Sequence, residues 1–321
     1  MSKKTKIWLL CAAACFVLGA LIFTVTLAAC GWDIMKLNQT KISRVTHEIT
    51  QEVHSIEIDV KTADVVLIRS SDGASRAVCD QREKMPYQVS VEEGTLKIKA
   101  LDLRKWYDYI SFFSFGSPKV TLYLTEELYQ SITVRTDTGD LQIPRDFSFG
   151  TAEVSTSTGD IDWHASKCEK LKLLSDTGTV TVNSAFCVQD LSVETDTGDI
   201  HLSSINSEGA LNLSCDTGKI HLMDVTCRDA SVETNTGDVV FKNTQAETLT
   251  AQTSTGDVRF DFSDAQTIRV TTDTGDVQGT LNSPKVFIPR TATGRIDVPK
   301  TTDGGICEIT TDTGDISIKI A

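Results

Sequence analysis

The dipeptide Thr-Gly recurs ten times between residues 138 and 314 of this chain, at an almost constant spacing of 19 or 20 residues. The glycines of the ten repeats are Gly139, Gly159, Gly178, Gly198, Gly218, Gly237, Gly256, Gly275, Gly294 and Gly314. A fixed period of this length is typical of a repeat architecture, in which each unit buries its apolar face against its neighbours. The spacing therefore predicts a rod, with little room for an enclosed active site.

The residues on both sides of each Thr-Gly alternate between apolar and polar. In the repeat around Gly198, the apolar positions are Val193, Ile200 and Leu202, and the other repeats match this pattern with exceptions at Gly279 and Pro289. Alternation with a period of two residues, rich in Val and Ile, predicts half-buried strands. An Asp usually follows the glycine, and Gly and Asp are residues that favour tight turns.

Two architectures fit this pattern. In a β-solenoid each repeat is one coil and equal positions stack about 4.8 Å apart, whereas in an antiparallel meander each Thr-Gly closes a two-residue hairpin. We favour the solenoid, because in-register stacking selects the same residue at the same position and an open sheet of about twenty strands exceeds the usual limit. The expected fold is all-β, a solenoid of ten 19–20-residue coils with a divergent β cap, after one transmembrane helix.

The pattern divides the chain into five segments. We expect a cytoplasmic tail (1–6), a transmembrane anchor (7–30), a juxtamembrane linker with a first strand (31–55), a divergent β cap (56–130) and the Thr-Gly-Asp repeats (131–321). A degenerate repeat lies at 56–68, where Ala63 takes the place of the glycine, and residues 87–99 have the pattern of a β-hairpin.

The N-terminal segment has the properties of a membrane anchor. Residues 7–30 carry no charge and are nearly all apolar, and three lysines precede them. A run of this length spans a bilayer, and flanking lysines place the N-terminus in the cytoplasm and the rod outside the cell. Residues 27–30 also resemble a bacterial lipobox, so the alternative is a lipoprotein anchored at Cys30.

The charge restricts the partners. The formal net charge is −13 and the sequence pI is about 4.8, which excludes nucleic acid as a partner, since phosphates require basic patches. Beyond the membrane that holds the helix, the expected partner is an envelope protein, a surface or a cationic peptide.

Stacking brings three carboxylates of neighbouring repeats together, those of Asp238, Asp257 and Asp276. One interpretation is a row of calcium sites, since like charges this close need pairing, hydrogen bonds or a metal. The favoured interpretation is that each Asp accepts hydrogen bonds from its own turn, because Lys219 and Arg295 interrupt the row. We therefore expect no cofactor, with calcium as the alternative.

Two further pairs fall on adjacent coils. Cys168 and Cys187 each follow their glycine by nine residues, within disulfide reach, and the alternative is a row of small buried thiols. His201 and His221 each follow theirs by three residues. The coils on either side offer no further ligand at that position, and metal sites usually need three, so we expect two independent surface histidines.

One segment is rich in aromatic residues. Its candidates for contact with a partner are Trp106, Tyr107, Tyr109, Phe112 and Phe113. An exposed cluster of this kind binds a partner or the membrane interface, whereas a buried one plugs the end of the rod. No motif of a nucleophile, phosphate loop or zinc enzyme is recognisable, so we expect no enzyme activity and no catalytic residues.

The iterated Thr-Asp-Thr-Gly-Asp-Ile/Val unit, the N-terminal helix followed by Gly31-Trp32-Asp33, and the segment 104–109 resemble the bacterial putative-adhesin family. These are surface proteins of β-strand repeats, largely catalogued as a domain of unknown function. The resemblance implies an extracellular cell-envelope β-solenoid from a Gram-positive bacterium, with a role in adhesion or in sensing envelope stress. It supplies no catalytic residues.

The expected function is non-catalytic: the chain displays an acidic solenoid for adhesion or for binding a ligand or partner. The alternative is an accessory sensor of envelope stress or cationic peptides that acts through a membrane partner. A polysaccharide-active enzyme is the more distant alternative, since some β-solenoids cleave acidic polysaccharides in an open groove.

Overall fold

The structure is a computed structural model that describes residues 3–29, 31–32, 42–105 and 118–321. It begins with helix α1 (Lys3–Ala29), and the described elements after it are all strands. The strands before the repeats are β1 (Ile42–Ile49), β2 (Ser55–Thr62), β3 (Asp64–Arg69), β4 (Ser75–Arg82), β5 (Tyr87–Glu92), β6 (Thr95–Ala100) and β7 (Lys119–Leu124).

The regular repeats contain β8 (Leu128–Thr138), β9 (Leu141–Ile143), β10 (Ser148–Thr158), β11 (Ile161–Trp163), β12 (Lys167–Thr177), β13 (Val180–Asn183), β14 (Phe186–Cys187), β15 (Leu191–Thr197), β16 (Ile200–Ser207), β17 (Ala210–Thr217), β18 (Ile220–Thr226), β19 (Asp229–Thr236), β20 (Val239–Thr255), β21 (Val258–Thr274) and β22 (Val277–Leu281). The chain ends with β23 (Lys285–Thr293), β24 (Ile296–Asp297), β25 (Gly305–Thr313) and β26 (Ile316–Ile320).

The repeats stack as coils of a parallel β-solenoid. Ile200 lies opposite Val180 of one neighbouring coil and Ile220 of the other, and all three strands run in the same direction. The strands before and after a Thr-Gly pair with neighbouring coils rather than with each other, as β15 does with β12 and β17. This pairing confirms the predicted solenoid and excludes the antiparallel meander.

The apolar rows predicted from the alternation form the core. Val193, Ile200 and Leu202 are each at most 1 % exposed, and the corresponding residues of the other regular repeats are buried with them. One exception, Gly279, lies in the coil of Gly275, and the others lie in the coil of Gly294, where Pro289 replaces an apolar residue and Ile296 is 47 % exposed. That coil lies at the end of the stack.

The repeat glycines are required because two backbones approach each other at every turn. A Cβ atom on Gly256 would lie 1.9 Å from the carbonyl oxygen of Gly237 in the preceding coil, and the φ angle of Gly256 is +156°. Any other residue there would clash with a backbone atom that cannot move away without breaking the stack. The contact explains why the Gly of Thr-Gly never varies among the ten repeats.

At the N-terminal end, the first coil in the sequence is not the first coil in the stack. Strands β2 and β3 form the degenerate repeat, and they lie between β8–β9 on one side and β6–β7 on the other. The register places Thr62 opposite Thr138, which aligns Ala63 with Gly139. Strands β4 and β5 then pair antiparallel with β7 and β6, and β1 pairs with β4, so a change of strand direction ends the parallel stack.

The C-terminal end repeats this arrangement. The last coil in the sequence, β25–β26, is inserted between β21–β22 and β23–β24, so the coil of Gly294 is outermost. The ammonium of Lys285 contacts Asp264 at 2.6 Å, and both side chains are at least nine-tenths buried. This ion pair joins β23 to β21, the two strands that flank β25 of the inserted coil.

We expect Ile200→Asp to destabilise the protein by several kcal/mol, because the substitution buries an unpaired charge between two coils. The control is Glu194→Gln, which changes an exposed residue of the same coil and leaves stability nearly unchanged. Denaturant unfolding followed by circular dichroism measures both. Equal stability of the two variants would show that the assigned inward row is wrong.

Candidate functional site

The most regular surface of the rod is the corner where the Thr-Gly-Asp turns stack, here called the turn edge. Along it, the N–H of each glycine donates to the carbonyl of the Thr before the next glycine in the stack, as Gly237 does to Thr255 at 2.9 Å. Two residues later the ladder resumes, where Val239 donates to the carbonyl of Asp257 at 2.9 Å. The peptide group between Gly and Asp has no part in this backbone ladder, so its C=O and N–H need other partners.

A buried hydroxyl satisfies the carbonyl of that peptide. The third residue before each glycine is Thr or Ser in nine repeats and Cys215 in the tenth, and we call this column the inner hydroxyl row. Thr253 donates to the carbonyl of Gly237 at 3.3 Å and Thr272 to that of Gly256 at 3.3 Å. Cys215 contributes its thiol to the carbonyl of Gly198 at 3.2 Å.

A carboxylate satisfies the N–H of the same peptide from outside. The first residue after each glycine forms the outer carboxylate row, where Oδ1 of Asp238 accepts the N–H of Asp257 at 3.2 Å and Oδ1 of Asp257 accepts that of Asp276 at 2.8 Å. Each Asp therefore caps the turn of the following coil, and the expectation that it would cap its own turn was wrong. The reason is that the Gly–Asp N–H points along the stack, towards the preceding coil.

Two residues that depart from the motif, Arg295 and Lys219, bind carboxylates of the outer row with their side chains. Arg295 belongs to the outermost coil, so no following coil needs a carboxylate from it, and its guanidinium instead binds Asp315 at 2.7 Å. Lys219 lies within the stack and donates from Nζ to Oδ2 of Asp238 at 2.8 Å. The hydrogen bond from Lys219 lowers the pKa of the Asp238 carboxyl below its usual value. The pKa of Asp315 is also lowered, chiefly by the hydrogen bond from the backbone N–H of Arg295 and then by its side chain.

The calcium candidates Asp238, Asp257 and Asp276 are neighbours on the outer carboxylate row. Oδ1 of each carboxylate accepts a backbone N–H from the next coil in the stack. For Asp276 the donor is the N–H of Asp315, at 2.7 Å. Calcium takes six to eight oxygen ligands, and one remaining carboxylate oxygen per coil supplies few of them. In the described part of the chain, no three His, Cys, Asp or Glu side chains surround a common metal position as they stand.

A second acidic column takes no part in the bonds to the turn N–H groups, although Asp216 in it accepts a hydrogen bond from the side-chain amide of Asn235 at 2.9 Å. Two residues before the glycine lie Asp176, Asp196 and Asp216 on consecutive coils, and all three are exposed. Asp273 and Asp312 occupy the same column on neighbouring coils, because the C-terminal coil is inserted beside β21. We call this column the exposed carboxylate row, and it makes the turn edge acidic over most of the length of the rod.

The structure brings Cys168 and Cys187 together inside the rod. They lie opposite each other in the register of β12 and β14, both fully buried and both free thiols. Burial raises the pKa of each thiol to about 12, which disfavours the thiolate that disulfide exchange requires. The disulfide between them stays a prediction.

The aromatic candidates for partner binding, residues 106–113, lie outside the described residues, as does Cys30 of the lipobox-like sequence. Helix α1 contains one stretch, Thr5–Ala29, that is long and apolar enough to cross a membrane. Its large apolar side chains are exposed, with Trp8 at 77 % and Phe16 at 79 %. By length and composition this helix fits a membrane anchor or a signal sequence.

Comparison with known families identifies the repeat region. The Toastrack DUF4097 family matches residues 53–222 and 209–321, from the degenerate coil to the end of the chain. The chain belongs to this family. The match confirms the resemblance inferred from the repeat motif, and it spans both the regular coils and the strands of the N-terminal cap in which the repeat is degenerate.

Solved structures similar to this Toastrack chain include three from Bacteroides and Parabacteroides species. A putative adhesin from Bacteroides fragilis is 16 % identical, with a TM-score of 0.36 over 87 % of this chain and 97 % of that one. A putative lipid binding protein from Parabacteroides distasonis is 17 % identical, with a TM-score of 0.46 over 86 % and 96 %. A putative adhesin from the same species is 10 % identical, with a TM-score of 0.43 over 87 % and 98 %. No curated protein matches the chain.

We expect Thr253→Val to lower the free energy of unfolding by about 1–3 kcal/mol, because the buried carbonyl of Gly237 then loses its donor. Thr253→Ser keeps the hydroxyl and costs less. The control is Thr250→Val on the outward face of the same strand, with a small effect. Denaturant unfolding compares the three variants, and an equal cost for Val and Ser at 253 would refute the role of the hydroxyl.

Millimolar calcium is expected to leave the melting temperature nearly unchanged, because ligands stabilise only a native state that binds them selectively. Asp257→Asn keeps an acceptor oxygen for the N–H of Asp276 and serves as the test variant. A calcium-dependent rise in melting temperature that Asp257→Asn abolishes would instead establish bridged calcium sites along the outer carboxylate row.

Proposed function

We propose that this chain is a single-pass envelope protein that holds a stiff acidic rod outside the cell and binds polycationic partners without catalysis. The N-terminus lies in the cytoplasm and the uncleaved helix α1 is the anchor. A peptide or protein segment with several lysines or arginines is the partner class. The observation that carries the proposal is the exposed carboxylate row, whose side chains repeat along the rod.

The anchor follows from the helix and its flanks. The candidate span of 25 residues has a mean hydropathy of 2.5, and Lys3, Lys4 and Lys6 lie at its N-terminal end. Positively charged flanks favour the cytoplasmic side, which places the rod on the opposite side of the membrane. The lipobox-like sequence at 27–30 is the alternative anchor, and it leaves the rod on the same side.

The rod is suited to display. Its coils are joined by backbone ladders and by the two side-chain rows of the turn edge, so neighbouring coils have little freedom to separate. At the N-terminal end antiparallel strands cover the outermost coil, and at the C-terminal end the coil of Gly294 covers the inserted one. A binding surface on such a scaffold is fixed in shape before the partner arrives, which reduces the entropic cost of binding.

The exposed carboxylate row gives the rod its selectivity for cations. Neighbouring coils place Asp176, Asp196 and Asp216 about one strand spacing apart, roughly 4.8 Å, well within the Debye length of about 8 Å at physiological ionic strength. The potentials of the carboxylates therefore add, and a polycation gains more than a single positive charge would. In the described part of the chain, Asp176 and Asp196 make no hydrogen bond that stabilises the fold.

The test measures binding of fluorescent oligolysine to the full chain in nanodiscs of uncharged lipid. The variant carries Asp176→Asn, Asp196→Asn and Asp216→Asn, and we expect its affinity to fall several-fold, with a weaker dependence on salt. The matched control carries Glu52→Gln, Glu93→Gln and Glu126→Gln, which remove the same charge from exposed positions near the N-terminal cap. Equal losses in both would show that net charge alone is responsible, and no binding by the parent chain would refute the proposal.

A further inference from the structure

Two histidines share one outward face of the rod. His201 on β16 and His221 on β18 are register partners on adjacent parallel coils. Their ring centroids lie 6.1 Å apart and the rings are nearly perpendicular, at 84°. The His201 side chain is 45 % exposed and His221 is exposed, so both rings face solvent.

A carboxylate stands beside the pair. Asp199 is on the outer carboxylate row, two residues before His201, where Oδ1 accepts the N–H of Lys219 at 2.8 Å. Its other oxygen, Oδ2, lies 4.0 Å from Nε2 of His201. The backbone of the next coil therefore fixes this carboxylate with its unused oxygen close to the imidazole.

Two lysines, Lys242 and Lys219, act on His221 from this face of the rod. Lys219 follows Asp199 on the outer carboxylate row, and its ammonium binds Asp238 of the coil beyond, which lies on the side away from Asp199. Partial burial, and then the neighbouring His201, lower the pKa of His221.

We propose that His201, His221 and Asp199 form a surface site for a divalent transition-metal ion such as Zn²⁺ or Cu²⁺. Two imidazole nitrogens and one carboxylate oxygen match the ligand preference of these ions, whereas Ca²⁺ and Mg²⁺ prefer oxygen alone. Water completes the coordination, as at other sites with three protein ligands.

Closing the site requires only rotation of side chains. The three groups do not converge on one point as they stand, but both rings are on the surface and turn about their side-chain bonds without disturbing the core. The backbone already sets the spacing, since the two histidines are direct register partners. A bound ion then joins the coils of Gly198 and Gly218 across their outward face.

The experiment titrates the full chain in nanodiscs with Zn²⁺ by calorimetry and records electron paramagnetic resonance spectra with Cu²⁺. We expect one ion per chain and copper spectra with hyperfine structure from two nitrogens. His201→Gln and His221→Gln should each weaken Zn²⁺ binding by at least about tenfold, which is the lower end of what the loss of a merely supporting residue costs.

Asp199→Asn keeps an acceptor for the Lys219 N–H and tests the third ligand, with a smaller loss of affinity expected. The control is His164→Gln, which removes a histidine elsewhere on the rod and should leave Zn²⁺ binding unchanged. Binding that survives the combined change His201→Gln and His221→Gln would overturn the site. So would an equal loss in His164→Gln, or a copper spectrum with fewer than two nitrogen ligands.

Discussion

The stack depends on one peptide group per coil, the one between Gly and Asp. The parallel backbone ladder leaves this group unpaired, and an unpaired buried carbonyl costs about 1–3 kcal/mol. Most coils receive a hydroxyl for the carbonyl from one neighbour and a carboxylate for the N–H from the other, as Gly237 receives Thr253 and Asp257 receives Asp238. The exceptions are Cys215, which supplies a thiol, and Thr179 and Lys219, which supply no carboxylate to the coils that follow them. Both bonds form only when equal positions of adjacent coils face each other, so the motif fixes the register of the whole rod. In a repeat protein, stability is the sum of such nearest-neighbour terms.

The ends of the rod must prevent further stacking, because the unpaired N–H and C=O groups of a parallel edge strand can pair with strands of another chain. At the N-terminal end, antiparallel strands cover the outermost coil. At the C-terminal end, the outermost coil carries Pro289 on its edge strand and Arg295 where most other coils have a carboxylate. A further coil would find no acceptor for its turn N–H at Arg295. The chain also places its last strand, β26, one layer inside the stack, where all of its residues pair with β22 and its first two pair with β24.

The outer carboxylate row and the exposed carboxylate row have different roles in this Toastrack chain, since the first joins neighbouring coils and the second faces solvent. Carboxylates directly after the glycine hold the next coil, and Asp199 and Asp238 each have one oxygen left for other contacts. Carboxylates two residues before the glycine lie outside the ladder, so the rod tolerates Asn235 or Ala292 there. Surface chemistry can therefore vary along this column without affecting the register, which is the property expected of a display scaffold.

Much of this molecule follows from the sequence alone. The period of 19–20 residues and the alternation around each glycine give the coil, the inward rows and the stacking of Ile200 between Val180 and Ile220, because these depend on local geometry repeated many times. Three features depend on which coils become neighbours in space. The insertion of β2–β3 and β25–β26 into the stack, the direction in which each Asp bonds, and the place of Asp199 beside His201 appear only in the tertiary structure. The period specifies what one coil offers to its neighbour, whereas the order of the coils at the ends is decided by long-range pairing that a local pattern does not encode.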